Sequence, residues 1–173
     1  ALVSAGNFTM DNSSGSVTSA GKKATLIQMT VNPQYSIDVS SLGGIEANSI
    51  SMVGNNIGFG VRNKGSIISN GTLMLTSNGN LLNKGSITGK GLLSQVSTVT
   101  GITNDGSIAG AYYLMLSSGD YIVNTGSLSG GQLIATANGN ITNGDSGTMT
   151  GTSGLSLTSG GKIRNEEKAS LLS

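Results

Sequence analysis

The chain of 173 residues has no histidine, no cysteine and no tryptophan, and it has a single proline. Without histidine and cysteine, the usual zinc, haem, iron–sulfur and thiol chemistry is excluded, and so are Ser-His-Asp and Cys-His nucleophile systems. Without cysteine there is no disulfide framework, so thiol usage does not decide the compartment. Charge is scarce as well. Only 10% of residues are charged, against about a quarter in an ordinary globular domain. The net charge of +1 provides no basic face for nucleic acid. Aromatics are 3% of the chain. No apolar run reaches the about 20 residues of a membrane-spanning helix. The chain opens on Ala1-Leu2-Val3, without an initiator methionine or a charged start before an apolar stretch, and reads as a piece of something longer.

What is abundant is serine, threonine, asparagine and 28 glycines. Such a composition invites a reading as a flexible linker. Two features oppose it. Hydrophobic residues make up 36% of the chain and are not scattered. Glycine and proline together reach only about 17%, below the about 25–30% typical of structureless Gly/Pro-rich sequence.

The hydrophobic residues follow an internal repeat. Asn63-Lys64-Gly65-Ser66-Ile67 recurs as Asn83-Lys84-Gly85-Ser86-Ile87, Asn104-Asp105-Gly106-Ser107-Ile108 and Asn124-Thr125-Gly126-Ser127-Leu128. A worn copy with one extra residue runs from Asn143 to Met149, and an N-terminal copy from Asn12 to Val17. Measured between Gly65, Gly85, Gly106, Gly126 and Gly147, the period is 20, 21, 20 and 21 residues. Two residues before each motif asparagine stands an aliphatic: Val61, Leu81, Ile102, Ile122, Ile141 and Ile163. Eight and ten residues after the motif glycine come Leu73 and Leu75, Leu114 and Leu116, Leu155 and Leu157. The second and fourth repeats place Leu93 and Gln95, and Ile134 and Thr136, at those offsets.

Short alternating pieces bounded by Gly, Asn and Ser are strands, not helices. A unit of about 20 residues is too short for a propeller blade and lacks the leucine-rich-repeat pattern. The remaining solution is an all-β parallel β-helix (a β-solenoid) of about 20 residues per turn, in which each repeat is one coil paired with the coils above and below. Roughly eight coils at the ordinary strand spacing make a rod of about 40 Å. Like residues then stack on like. Asn63, Asn83, Asn104, Asn124, Asn143 and Asn165 form an amide ladder, each side chain donating to the next turn. The motif glycine is predicted to take positive φ in the corner. Residues 1–173 read as one segment, with irregular turns over 1–43, regular repeats over 44–167 and an end at 168–173. Lys22-Lys23 and Asn32-Pro33 mark the irregular part.

Several pieces carry a resemblance: Asp38-Val39-Ser40-Ser41-Leu42-Gly43-Gly44, Ala47-Asn48-Ser49-Ile50 and Gly58-Phe59-Gly60-Val61-Arg62-Asn63-Lys64-Gly65. Ser77 to Asn83 and Ala137 to Asn143 repeat the theme further on. Over about residues 36–165 the chain resembles the filamentous haemagglutinin family of large exoproteins. That family includes the contact-dependent inhibition exoproteins and uses the two-partner secretion route of Gram-negative bacteria. The resemblance implies a right-handed coil and export through an outer-membrane partner transporter. It also implies a place at the cell surface in an adhesive or delivery fibre that meets a receptor or glycan on a host cell or target bacterium.

Candidate sites are sparse, and neither a cofactor, a metal nor a catalytic group is expected. Asp105 and Asp145 are the best carboxylate pair, two turns apart, and read as solvated turn residues; paired acid and base groups need about 5–10 Å. Arg62, Lys64, Lys84 and Lys90 form a small basic corner with Asp105 next in the column, a candidate for an anionic glycan. Tyr112, Tyr113 and Tyr121 fall in one repeat, where an outward ring stacks on a sugar or covers the rim of the core. Thr148, Thr150 and Thr152 align three hydroxyls, but the neighbouring turns do not continue the array. The expectation is a structural segment of an exported fibre, with a carbohydrate- or receptor-binding module as the alternative.

Overall fold

The computed structural model describes residues 35–54 and 60–173 in full and, from the earlier chain, the backbone of four strands. These are β1 (Leu2–Ser4), β2 (Phe8–Asp11), β3 (Ser16–Ser19) and β4 (Ala24–Gln28). The first full coil is β5 (Ile37–Val39), β6 (Gly44–Ala47) and β7 (Ile50–Gly54). The second is β8 (Val61–Asn63), β9 (Ser66–Ser69) and β10 (Leu73–Ser77). The third is β11 (Leu81–Asn83), β12 (Ser86–Gly89) and β13 (Leu93–Thr98). In the next three coils the second and third strands fuse: β14 (Ile102–Asn104) with β15 (Ser107–Ser118), β16 (Ile122–Asn124) with β17 (Ser127–Ala137), β18 (Ile141–Asn143) with β19 (Thr148–Ser159). β20 (Ile163–Asn165) and β21 (Ser170–Leu172) begin a further rung. The Asn12–Gly15 part of the N-terminal motif copy, Lys22-Lys23 and Asn32-Pro33 lie outside the described residues.

The architecture is an all-β solenoid of parallel strands, about six turns of about 21 residues. The expected eight turns are too many. The first strands do not all add coils. β3 and β4 stack in parallel on β6 and β7, but β2 lies antiparallel on β3 and β1 antiparallel on β4. Antiparallel strands laid across a parallel stack close its edge instead of lengthening it. Among the described residues the strands form one sheet of seven, β5 through β20, and one of fourteen that wraps two sides of the coil.

From β5 to β18 the strands bury every second residue outside the bulges, as period-two alternation requires. Val61, Leu81, Ile102, Ile122 and Ile141 superpose as paired neighbours and are fully buried. Ile67, Ile87, Ile108, Leu128 and Met149 make a second buried column. Each such side chain contributes on the order of 1.5–3 kcal/mol of transfer free energy. A single coil buries little of this alone, so the stack is stabilised rung against rung.

Two sequence expectations fail here for identifiable reasons. Leu93 and Gln95 do not continue the Leu73–Leu75 columns. Ser94 and Val96 do, because the extra residue of that repeat falls in the preceding corner and shifts the strand by one. In the fourth repeat Leu133 and Ala135, not Ile134 and Thr136, point inward, after a register shift between Gly130 and Gln132 on one side and Gly110 and Tyr113 on the other. A one-residue slip turns every side chain to the other face.

The motif glycines are the second failure. Among the described residues Gly60 alone is a glycine at positive φ, 47°. The motif glycines are needed for contact instead. A Cβ on Gly85 would strike the carbonyl oxygen of Gly65, one on Gly106 that of Gly85, and one on Gly126 that of Gly106. Ser86, Ser107 and Ser127 donate their backbone N–H to those same three carbonyls, at 2.9, 2.9 and 2.8 Å. The corners stack so closely that only hydrogen fits.

Candidate functional site

The amide ladder sits where the seven-stranded sheet turns into the larger one. Asn63, Asn83, Asn104, Asn124 and Asn143 are buried. Asn63 Nδ2 donates to Asn83 Oδ1 at 2.8 Å, Asn83 to Asn104 at 2.7 Å, Asn104 to Asn124 at 2.8 Å and Asn124 to Asn143 at 2.8 Å. Asn143 donates to Asn165 at 2.8 Å. The same amide groups also reach backbone carbonyls of their own corner and the next, such as Gly106 at 3.2 Å and Ser127 at 3.1 Å from Asn104. Every donor therefore points the same way along the axis. Val39 holds the column position before Asn63, so the ladder has a first member. The arrangement is structural: amides saturated by amides leave nothing to react.

Two of the four cations of the basic corner, Arg62 and Lys84, are paired with carboxylates. Arg62 donates Nε to Asp38 Oδ1 at 2.9 Å, pairs through Nη2 with the other carboxylate oxygen, and stacks on the Tyr35 ring at 4.2 Å. The Asp38 carboxylate raises the Arg62 guanidinium above its ordinary value, with a smaller contribution from Tyr35. The sequence held a signal for this pair. Asp38 and Arg62 occupy the same column of adjacent coils, as Ile37 and Val61 do. Lys84 lies 3.6 Å from Asp105, which also accepts from Thr125 at 2.9 Å. Lys64 precedes Lys84 in that column, and Lys90 stands in the corner before β13. Asp105 is thus held by a cation and a hydroxyl, and Asp145 is exposed in a turn. Among the described residues no three acidic side chains gather as a metal site would require.

The tyrosines divide. Tyr121 lies at the far corner, its ring filling the space that a side chain on Gly101 would need. Tyr112 and Tyr113 sit at the register shift of β15 and are both exposed, 61% and 40%. Around them are residues that the repeat spacing did not single out. Leu92, Met74 and Met115 are exposed on the same side of the coil. One rung beyond, Gln132, Ile134, Gly154 and Ser156 line a shallow cleft of about 160 Å³ floored by Leu133 and Leu155. The one-residue slip that buries Ser94 is what leaves Leu92 outside, and offset counting from the motif glycine does not see it.

One curated protein is similar over part of the chain. Toxin CdiA of Yersinia pestis is 40% identical over 57 residues, 32% of this chain. Those residues span about 2% of that protein's length. No family model matches the chain, and no solved structure does. The partial match and the parallel coil agree with the resemblance to contact-dependent inhibition and haemagglutinin exoproteins. They are consistent with a repeat segment of a secreted exoprotein of a Gram-negative bacterium.

Proposed function

We propose that this chain is a non-catalytic shaft segment of a large bacterial exoprotein, an adhesin or a contact-dependent inhibition fibre displayed at the cell surface. The observation that supports it most is the continuous column of asparagines and aliphatics. In it nearly every buried residue serves the coil above or below. Apart from Glu46 on β6, the described charges stand in the corners and on the short seven-stranded side, and three ion pairs link neighbouring ones. Such a rod separates a membrane-proximal end from a distal one and does nothing to a substrate. In this reading the parent protein leaves the cell through an outer-membrane two-partner secretion transporter. The rod carries its distal parts to a receptor or glycan on a host cell or target bacterium.

The absence of cysteine from these 173 residues lets one introduced thiol report on them, with labelling counted above that of the unsubstituted parent protein. A Ser117→Cys variant of the parent protein is expressed with and without its outer-membrane partner and treated with a membrane-impermeant maleimide on intact cells. Labelling that depends on the partner is expected. Labelling only after lysis would overturn surface display. Turnover of polysaccharides that is lost in Asp105→Asn or Asp145→Asn would overturn the non-catalytic reading.

A further inference from the structure

One side of the coil differs from the rest in what it exposes. It consists of the stretches Ile50–Gly54, Leu73–Ser77, Leu93–Thr98, Tyr113–Ser118, Gln132–Ala137 and Leu155–Ser159, and none of them contains Asp, Glu, Lys or Arg. On this uncharged face stand Leu92, Tyr112, Tyr113, Met74 and Met115, between 38% and 65% exposed. The register places Tyr113 over Leu93, and Tyr113 N donates to Leu92 O at 3.1 Å. The bulge before Tyr113 turns both rings outward, as bulges re-aim side chains. Beside this apolar band runs a hydroxyl rail, Thr76, Ser97, Ser117, Thr136 and Thr158, one residue per rung.

We propose that this face binds a neutral glycan, laid along the coil axis with sugar rings on Leu92, Tyr112 and Tyr113 and hydroxyls on the Ser/Thr rail and Gln132. Three arguments select this occupant. A pyranose ring has an apolar face and a polar edge, the same division as the band and the rail. Successive rungs lie about 4.8 Å apart, close to the advance of one sugar in an extended chain, so neighbouring rungs meet neighbouring sugars. An anionic sugar is disfavoured, because the six strand stretches hold no cation to pair a carboxylate or sulfate taken from water, and Lys90 in the corner beside Leu92 is a single exposed charge. A second copy of the chain is disfavoured by size. Six rungs of five-residue strands offer about 500 Å² per copy, about 1,000 Å² for a pair, where stable protein pairs bury about 1,200–2,000 Å². The cleft at Gly154 continues the band, since a side chain there would meet only the Gln132 side chain, near 3.8 Å. The proposal stands on the face alone and is independent of the segment's place in a larger protein.

The test is a titration of the ¹⁵N-labelled chain with cellohexaose, chitohexaose and a heparin hexasaccharide, followed by amide shifts. Saturable shifts confined to β13, β15 and β17 with a neutral probe are expected. Tyr112→Ala/Tyr113→Ala should weaken that binding about tenfold with unchanged far-ultraviolet circular dichroism. If the double variant loses its strand signal, Tyr112→Ser alone, at the more exposed ring, reads the same loss. The proposal is overturned by the absence of saturable shifts with either neutral probe at millimolar concentration. Tighter binding of the heparin probe, shifts on another side, or a dimer in sedimentation that the tyrosine variants abolish would each overturn it as well.

Discussion

At the scale of single residues, two buried polar side chains with opposite fates show what holds the interior together. Asn104 is buried and saturated, accepting from Asn83 and donating to Asn124. Truncating it orphans the Asn124 oxygen and removes one acceptor of Asn83. Asn104→Ala is expected to cost about 2–4 kcal/mol, read as a lower urea midpoint with an unchanged slope. A loss under half a kilocalorie, on the order of an exposed hydrogen bond, would refute the ladder's energetic role. Ser94 is the counter-case. It occupies the column of Leu73 and Leu114, and its hydroxyl is buried without a partner. Ser94→Ala removes an unsatisfied group and is expected to stabilise by about 1 kcal/mol, by the same measurement. Sequence legibility differs just as sharply. The asparagine column announces itself because one residue type recurs at one spacing. Ser94 was hidden because a serine carries no signal for which face it will occupy, and its neighbour Leu93 offered a more plausible core residue.

At the scale of elements, the repeat disclosed the strands and the corners but not how tightly the corners nest. The alternating triplets Val61–Asn63, Leu81–Asn83 and Ile102–Asn104 became strands with identical burial patterns. Fusion of the other two strands in β15, β17 and β19 was not legible. Gly110, Gly130 and Gly151 stand at the bends of the fused strands, but Gly89 holds the same column where β12 and β13 stay separate, and at Gly151 a side chain would collide with the Gly154 carbonyl. The motif glycine was predicted for the wrong reason, since its conformation is ordinary and its crowding is not. That distinction is testable. A substitution that strained only φ would be relieved by asparagine, which tolerates the left-handed region. A steric limit would not. Both Gly106→Ala and Gly106→Asn are therefore expected to destabilise by at least about 1–3 kcal/mol, in the range of overpacked interiors. Thermal unfolding of the pair checks this, and rescue by asparagine would restore the conformational explanation.

At the scale of the whole molecule, the coils are interchangeable parts. Ile102, Thr103 and Asn104 lie in register with Ile122, Val123 and Asn124, and the adjoining strands do the same around the turn. Nothing in the interior of one coil depends on a particular neighbour beyond its columns. Stability then follows nearest-neighbour contacts summed along the axis. A second copy of Gly101–Asp120 inserted after Asp120 presents the aliphatic and asparagine columns with residues of the kind they already meet and keeps a Gly101 beneath the Tyr121 ring. The insertion should lengthen the rod by about 4.8 Å, detectable by small-angle scattering. It should also raise the urea slope, because more surface is exposed on unfolding. The tyrosine pair would be doubled on adjacent rungs, so a neutral glycan held by that face should bind more tightly to the duplicated chain. A globular protein given twenty foreign residues in its core unfolds, and a flexible linker given twenty more gains no cooperativity. Unchanged length, a lower midpoint or a broadened transition would mean that the coils are not equivalent and that the columns are a consequence of the fold instead of its cause.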